Sequence, residues 1–230
     1  MKILGVIPAR SQSKGIKDKN IQIIRGKELI YYTIKRAKES KMIDYLISST
    51  DSQKYNNIFK SYGIWTPILR PKKLATDTSN IIDTLIYKTK LIEKIKKIKF
   101  DYVVLLQPTS PNRKRGEIDR TLKKIINSKS DSLISLCPLN STHPEKMKII
   151  KNNKVLSYIS GASETPPRQK LEKLYVPSGN IYIIKRDILL KKKTLIGKKQ
   201  TFHIINQRDY INIDNEDDLN IAKIKLKNFK

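Results

Sequence analysis

Cysteine appears once, at Cys137, and histidine twice, at His143 and His203. The lone thiol has no internal partner, so no disulfide staples this chain, and a reducing cytoplasm is the compartment it fits. Two distant imidazoles and one thiol do not assemble a dedicated zinc site either. Long apolar runs are missing: none reaches the roughly 18 residues that a membrane span needs. The opening apolar run is short, and Arg10 follows it with no small-residue cleavage site, which argues against a secretory signal. Glycine is thin, at 8 residues, with no pair spaced G-x-G, no G-x-x-x-x-G-K-S/T and no G-x-S-x-G. Those gaps remove the dinucleotide fingerprint, the P-loop and the hydrolase elbow.

Acid is scarce too. Asp and Glu total 21 against 48 Lys and Arg, a formal net charge of +27. A chain this basic is open to a nucleic-acid or anionic-lipid partner. The densest runs, Lys94–Lys99 and Lys191–Lys193, are mixed with isoleucine or sit between elements, and no aromatics interleave them to stack bases. They read as solvated faces, so the expectation is no membrane and no nucleic acid.

What is present alternates. Strands are expected over Lys2–Ile7, Tyr45–Ser49, Tyr102–Gln107, Ser132–Cys137, Asn180–Ile184 and Tyr210–Ile213. Between them, Ile30, Ile34 and Ala37 share a helical face, as do Ile82, Leu85, Thr89 and Ile92, and then Ile118, Leu122 and Ile125. Strands alternating with helices predict an α/β fold with a mostly parallel sheet, in which ligands bind beyond the carboxyl ends of strands. A single domain is expected over residues 1–230. One stretch, 139–177, is punctuated by proline and lacks helical periodicity, as a lid or an association insertion would.

The chemistry concentrates at the end of the first strand, in "IPARSQSKGIKDKN". Arg10, Lys14, Lys17 and Lys19 crowd one loop with Ser11, Ser13 and Gly15. Glycine permits close backbone approach, exposed amides form an anion nest, and arginine offers a bidentate fork. That equipment suits a polyphosphate; a plain basic turn after an edge strand is the alternative. Three further strand ends or loops converge with it: "ISSTD", "LRPKKLATDTS" with Arg70 and Asp77, and "LLQPTSPNR" with Gln107. Each has a plainer explanation, respectively Asp51 as a helix cap, a loop capping the next helix, and a proline-stopped strand end. Near the C-terminus, Asn215 and Asp218 fit an N-cap ahead of the Leu219, Ala222 and Leu226 face.

These stretches, with "PPRQKL", "PSGNIYI" and "NIDNEDDL", occur in order along nearly the whole chain. Together they resemble the acylneuraminate (CMP-sialic acid synthetase-like) cytidylyltransferases. The related 3-deoxy-manno-octulosonate cytidylyltransferases share the I-P-A-R start but typically carry an acidic residue where this chain has "QPTSP". The resemblance implies a Rossmann-like nucleotide-diphospho-sugar transferase fold, a homodimer with 139–177 as the dimerisation insertion, and Mg²⁺ (or Mn²⁺). It implies transfer of CMP from CTP to the anomeric hydroxyl of a nonulosonic acid, with release of pyrophosphate. By the same resemblance, Ala9, Arg10, Ser13, Lys14, Gly15, Lys19, Asn20 and Arg70 hold CTP, and Arg10, Lys19 and Asp214 serve the reaction. Gln107, Lys146, Arg168, Ser178 and Tyr182 face the sugar, Lys146 and Arg168 in the neighbouring subunit's site; Asp214 and Asn212 hold the metal.

The departures fall on the sugar and metal side. Asn212 replaces the first acid of the family's D-x-D, Val176 and Ser178 stand where sialic-acid-specific members have arginine and asparagine, and Ile81 stands where they have serine. The acceptor expected is a nonulosonic acid of sialic, pseudaminic or legionaminic type, these departures favouring the latter two over N-acetylneuraminate, with a 3-deoxy-manno-octulosonate-type cytidylyltransferase as the alternative. A non-catalytic homologue, motivated by Asn212, and a basic nucleic-acid-binding protein on the same scaffold are the competing classes.

Overall fold

The structure, a computed structural model, describes residues 1–12, 15–139, 143–163, 165 and 167–229, with the side chains of Arg168 and Asn228 outside that description. Strand β1 (Ile3–Pro8) is apolar on both faces because helices cover both. Ile3 and Ile7 enter one core cluster; Leu4 and Val6 enter another on the opposite face. Helices α1 (Leu29–Lys38), α2 (Gln53–Ser61) and α4 (Glu117–Asn127) close the first cluster with Ile30, Ile34, Tyr55, Phe59, Leu122 and Ile125. Helices α3 (Ile81–Lys96) and α5 (Arg186–Lys192) close the second with Leu85, Ile92 and Leu189. The helical faces expected from periodicity are the buried ones.

The central sheet has six strands in the order β10 (Gln200–Ile204), β6 (Ser132–Pro138), β9 (Tyr175–Lys185), β5 (Tyr102–Leu105), β1 and β4 (Tyr45–Ser49). β1 pairs in parallel with β4 and β5, and β10 pairs in parallel with β6. β9 runs antiparallel between β5 and β6. Pairing of β6 with β9 changes register between Ile134 and Leu136, so β9 carries a bulge around Ser178, Gly179 and Asn180. The sheet is mostly parallel, as expected, and its parallel carboxyl ends point one set of loops to the same side.

Two strand assignments change. Tyr210–Ile213 is an extended loop leading into α6 (Glu216–Lys225), tied by the Ile213 amide to the Thr109 carbonyl at 2.9 Å. Its apolar alternation reflects burial of Ile211 and Ile213 against α6, not sheet pairing. The sixth sheet position belongs to β10, which the sequence does not announce: as an edge strand it leaves Phe202 and Ile204 49% and 45% exposed, so its pattern is weak.

The 139–177 stretch holds a 3-10 turn at Pro144–Lys146 and a hairpin of β7 (Lys148–Lys151) and β8 (Lys154–Ser157). Asn152 and Asn153 turn the hairpin with φ of 52° and 59°, the left-handed pair of a type I′ turn. The hairpin exposes Ile150 and Val155 at 80% and 67%, and Tyr158, which follows it, at 61%. A second small hairpin, β2 (Ile23–Ile24) with β3 (Lys27–Glu28), packs Ile24 with Ile16, Ile213, Leu219 and Ala222 in a third core cluster. That cluster seats α6 against the cationic loop.

Candidate active site

The loop after β1 is anchored by its few acidic and amide groups. The Ala9 amide donates to the Ser49 carbonyl at 2.9 Å, continuing the β1–β4 pairing one step past the strand. Ser11 donates to both oxygens of Asp51, from its amide at 2.9 Å and its hydroxyl at 2.6 Å. Asp51 is therefore a loop anchor and not a cap; Ser52 caps α2, accepting from the Tyr55 amide. Asp18 takes a left-handed φ of 54° and accepts from Lys54 Nζ at 3.0 Å and the Tyr55 hydroxyl at 3.1 Å. The bond from Lys54 holds this carboxyl below its ordinary range. Asn20 is buried, and its Nδ2 donates to the Arg10 carbonyl at 3.1 Å, folding the loop back onto its start.

Two of the expected cations are held at opposite flanks. Arg10 donates from Nη1 to the Thr76 carbonyl at 2.7 Å, and its Nη2 lies 3.2 Å from Asp77 Oδ1. Lys19 Nζ donates to the Ile213 carbonyl at 2.7 Å and lies 3.1 Å from Asp214 Oδ1. Gly15 crosses so close to Asp214 that a Cβ built there would overlap its carbonyl oxygen. This is the position in the loop where glycine is required. Ser13 and Lys14 lie outside the described residues.

At Asp214 the metal and cap readings separate onto different residues. Asn215 is the N-cap of α6 and forms a reciprocal box with Asp218. Asp218 Oδ2 also accepts from the Asp214 amide at 2.9 Å. The Asp214 carboxylate stands outside the box, 66% exposed, and accepts from Asn212 Nδ2 at 2.6 Å. Among the described residues no group of three or more His, Cys, Asp or Glu forms a metal cage. The exposed Asp214 carboxylate is a hard-oxygen donor of the kind Mg²⁺ takes one or two of, and here its Oδ1 meets Lys19 Nζ and its Oδ2 the Asn212 side-chain amide nitrogen.

Arg10, Asn20, Arg70 and Gln107 line one cleft of about 310 Å³ beyond the carboxyl ends of β1 and β5, with Thr76, Asp77 and Ile81 on its far side. Arg70 is 6% exposed. Its amide donates to the Thr50 carbonyl at 2.6 Å, its Nε to Ser49 Oγ at 3.1 Å, and its Nη2 to the Ser49 carbonyl. Burial pushes the guanidinium down to about 10, so it keeps its charge at neutral pH. Beneath it, Lys88 of α3 is fully buried and donates to the Ile68 carbonyl. Burial, aided by Arg70, pushes the Lys88 ammonium down to about 8. Lys88 follows Leu85 by three positions on the buried face of α3, and a lysine at that spacing was the available sequence signal for it.

Other expected residues do not reach this cleft within the chain. Ser178 is fully buried and its hydroxyl donates to Ser135 Oγ at 2.8 Å. This corrects the expectation of a sugar-facing side chain: the bulge turns the Ser178 hydroxyl into the sheet. Tyr182 lies half-buried opposite Leu105, packed on the α3 side of the sheet, where burial raises its phenol. Lys146 is exposed on the 3-10 turn of the insertion, away from the cleft lining. The Arg168 side chain lies outside the description, although its backbone forms a 3-10 turn with Lys170.

A sequence profile described as cytidylyltransferase matches residues 4–227. The chain is 31% identical over 228 residues to the CMP-N,N'-diacetyllegionaminic acid synthase of Campylobacter jejuni, covering 98% of this chain and 96% of that protein. It is 32% identical over 220 residues to an N-acylneuraminate cytidylyltransferase of Streptococcus agalactiae, covering 95% of this chain. The chain spans about half the length of that relative, 52%. Among solved structures, CMP:2-keto-3-deoxy-manno-octonic acid synthetase complexed with CTP superposes with a TM-score of 0.70 at 17% identity, covering 97% of this chain and 98% of that one. At that identity the likeness is one of fold.

Proposed function

The chain belongs to the cytidylyltransferase family, and from that premise we propose that it transfers CMP from CTP to the anomeric hydroxyl of a nonulosonic acid and releases pyrophosphate. The observation that carries this reading is the shared cleft: Arg10, from the cationic loop, stands in one cavity with Arg70 and Gln107. A triphosphate needs cations and backbone amides at one end, and the cytosine and the acceptor need polar groups with fixed geometry at the other.

In this reading Arg10 and Lys19, with Ser13, Lys14, Gly15 and Asn20 of the same loop, hold the triphosphate. Arg70, locked by Ser49, meets the cytosine end, and Gln107 meets the acceptor. The anomeric hydroxyl loses its proton to solvent and its oxygen bonds to the α-phosphorus as the bond to the pyrophosphate oxygen breaks, so the protein's task is alignment and charge neutralisation. Asp214 and Asn212 would hold Mg²⁺, which supplies positive charge for the phosphates when bound. The enzyme works as a cytoplasmic homodimer through the 139–177 segment, whose exposed Ile150, Val155 and Tyr158 find cover in a second copy. Lys146 and Arg168 then serve the neighbouring subunit's site.

Val176 and Ile81 argue for a legionaminic- or pseudaminic-type acceptor. An arginine fork is missing at the first position, and Ile81 puts an apolar side chain in the cleft wall. The test is pyrophosphate release from each nucleoside triphosphate against N-acetylneuraminate, legionaminate, pseudaminate and 3-deoxy-manno-octulosonate. CTP-selective release with a legionaminic- or pseudaminic-type sugar is expected. Efficient use of N-acetylneuraminate alone would sink the acceptor assignment. CTP binding without release from any sugar would make the chain a non-catalytic homologue.

A further inference from the structure

Arg113 is among the largest fully buried side chains of the molecule, at 1% exposure, and the reaction as described makes no use of it. Its guanidinium spreads over three separate elements. Nε donates to the Asn180 carbonyl in the β9 bulge at 2.7 Å. Nη2 donates to the Gln107 carbonyl beyond β5 at 2.7 Å. Nη1 donates to Thr33 Oγ1 on α1 at 2.8 Å. All three partners are neutral. The acid that contributes charge nearby, Glu117, spends its own oxygens on His203 at 2.9 Å and the Lys114 amide at 2.7 Å.

A buried cation held by neutral acceptors is an expensive way to fill space, since an apolar side chain of similar volume avoids the desolvation cost. What only arginine offers is a rigid planar fork with donors in divergent directions. Here the fork joins two segments that also touch directly. Gly179, at φ of 74°, sits where an added Cβ would stand 2.9 Å from Gln107 Oε1 and 2.5 Å from Ser110 Oγ. Ser110 Oγ donates to the Ser178 carbonyl at 2.9 Å, and the Ser110 amide shares the Gln107 carbonyl with Arg113 at 3.2 Å. The Gln107 amide therefore rests on the bulge, and the backbone of both is fixed from below by one guanidinium.

We infer that Arg113 is a positioning residue for acceptor recognition: it locks Gln107 against the β9 bulge so that the Gln107 amide meets the sugar in one orientation. This rests on the reading of the cleft as a CTP and nonulosonate site. It is distinct from triphosphate binding, because among the described residues the Arg113 guanidinium donates to Asn180, Gln107 and Thr33 and to no residue of the cationic loop.

The test uses Arg113→Lys, Gln107→Ala and the double variant of the full chain. A displacement of about 1 Å at a positioning group costs on the order of a hundredfold. Arg113→Lys is expected to lower kcat/KM for the acceptor by that order while the Kd for CTP moves less than about twofold, within ordinary surface-substitution effects. The double variant should be no worse than Gln107→Ala, as for two groups that act as a unit. Equal losses toward CTP and acceptor, or additive losses in the double variant, would show Arg113 to be a general fold element and overturn the inference. Wild-type turnover, measured first, tests the functional reading by itself. Hydrogen–deuterium exchange decides the tie even without a substrate. Faster exchange confined to residues 105–110 and 178–183 in Arg113→Lys supports it; unchanged or sheet-wide exchange overturns it.

Discussion

Arg10 and Asp77 form an ion pair across the cleft, with Nη2 3.2 Å from Oδ1. Arg10 also grips the Thr76 carbonyl, so the arginine assigned to the triphosphate is bonded to its own protein before any nucleotide arrives. Both side chains are about a third exposed, 32% and 39%, and pairs of this kind contribute roughly 0.2–1 kcal/mol. Asp77→Asn should thus tighten CTP binding by up to about fivefold at low salt. Titration calorimetry at two ionic strengths checks it. A weaker Kd would instead make Asp77 a ligand contact.

Asp214→Asn leaves the Asn215–Asp218 box intact, so melting should change little while Mg²⁺-dependent pyrophosphate release falls. Asn212→Asp restores a second carboxylate and should lower the Mg²⁺ concentration for half-maximal rate by about tenfold, the equivalent of ~1.4 kcal/mol. If Asn212→Asp leaves the Mg²⁺ dependence unchanged, the metal is held elsewhere.

Lys88 predicts a pH dependence with a definite sign. Its pKa falls on folding from 10.5 to about 8, so between those values the unfolded chain binds more protons. Stability from this group therefore rises with pH across that window and is lowest below it, where Lys88 is charged in both states. Lys88→Met should flatten that alkaline rise relative to wild type, measured by urea unfolding at pH 7, 8.5 and 10. Parallel curves for the two proteins would contradict the burial assigned to this ammonium.

Ile150→Lys combined with Val155→Lys places charge on the most exposed apolar face of the hairpin. In sedimentation velocity the variant should run as a monomer with an unchanged melting temperature for the main domain. A dimer of undiminished affinity would move the interface off this hairpin.

The sheet and most of its helices are legible in the sequence because burial on both faces writes long apolar runs, as in β1, and helical stripes, as in α4. β10 escapes because an edge strand needs apolar residues on fewer positions, and Tyr210–Ile213 misleads because a loop packed on α6 alternates like a strand. Cations with a shared loop are equally visible. What the sequence hides is how much of the site is held by hydrogen bonds to carbonyls. The two carbonyl acceptors of Arg113 leave no compositional trace, since any residue supplies a carbonyl, and the turning of Ser178 into the sheet follows from a bulge that composition does not show.

The bond from Lys19 to Asp214 joins positions 195 apart, and Ile16 packs with Ile213 and Leu219 in the same cluster. During synthesis, the cationic loop therefore gains this floor only after Asp214 has been added. A nascent chain that has not reached Ile213 and Asp214 leaves Lys19 without either of these partners, while Arg10 already has Asp77. The cleft lining, all drawn from Pro8 to Thr109, is thus synthesised well before the Lys19 flank of the loop is closed.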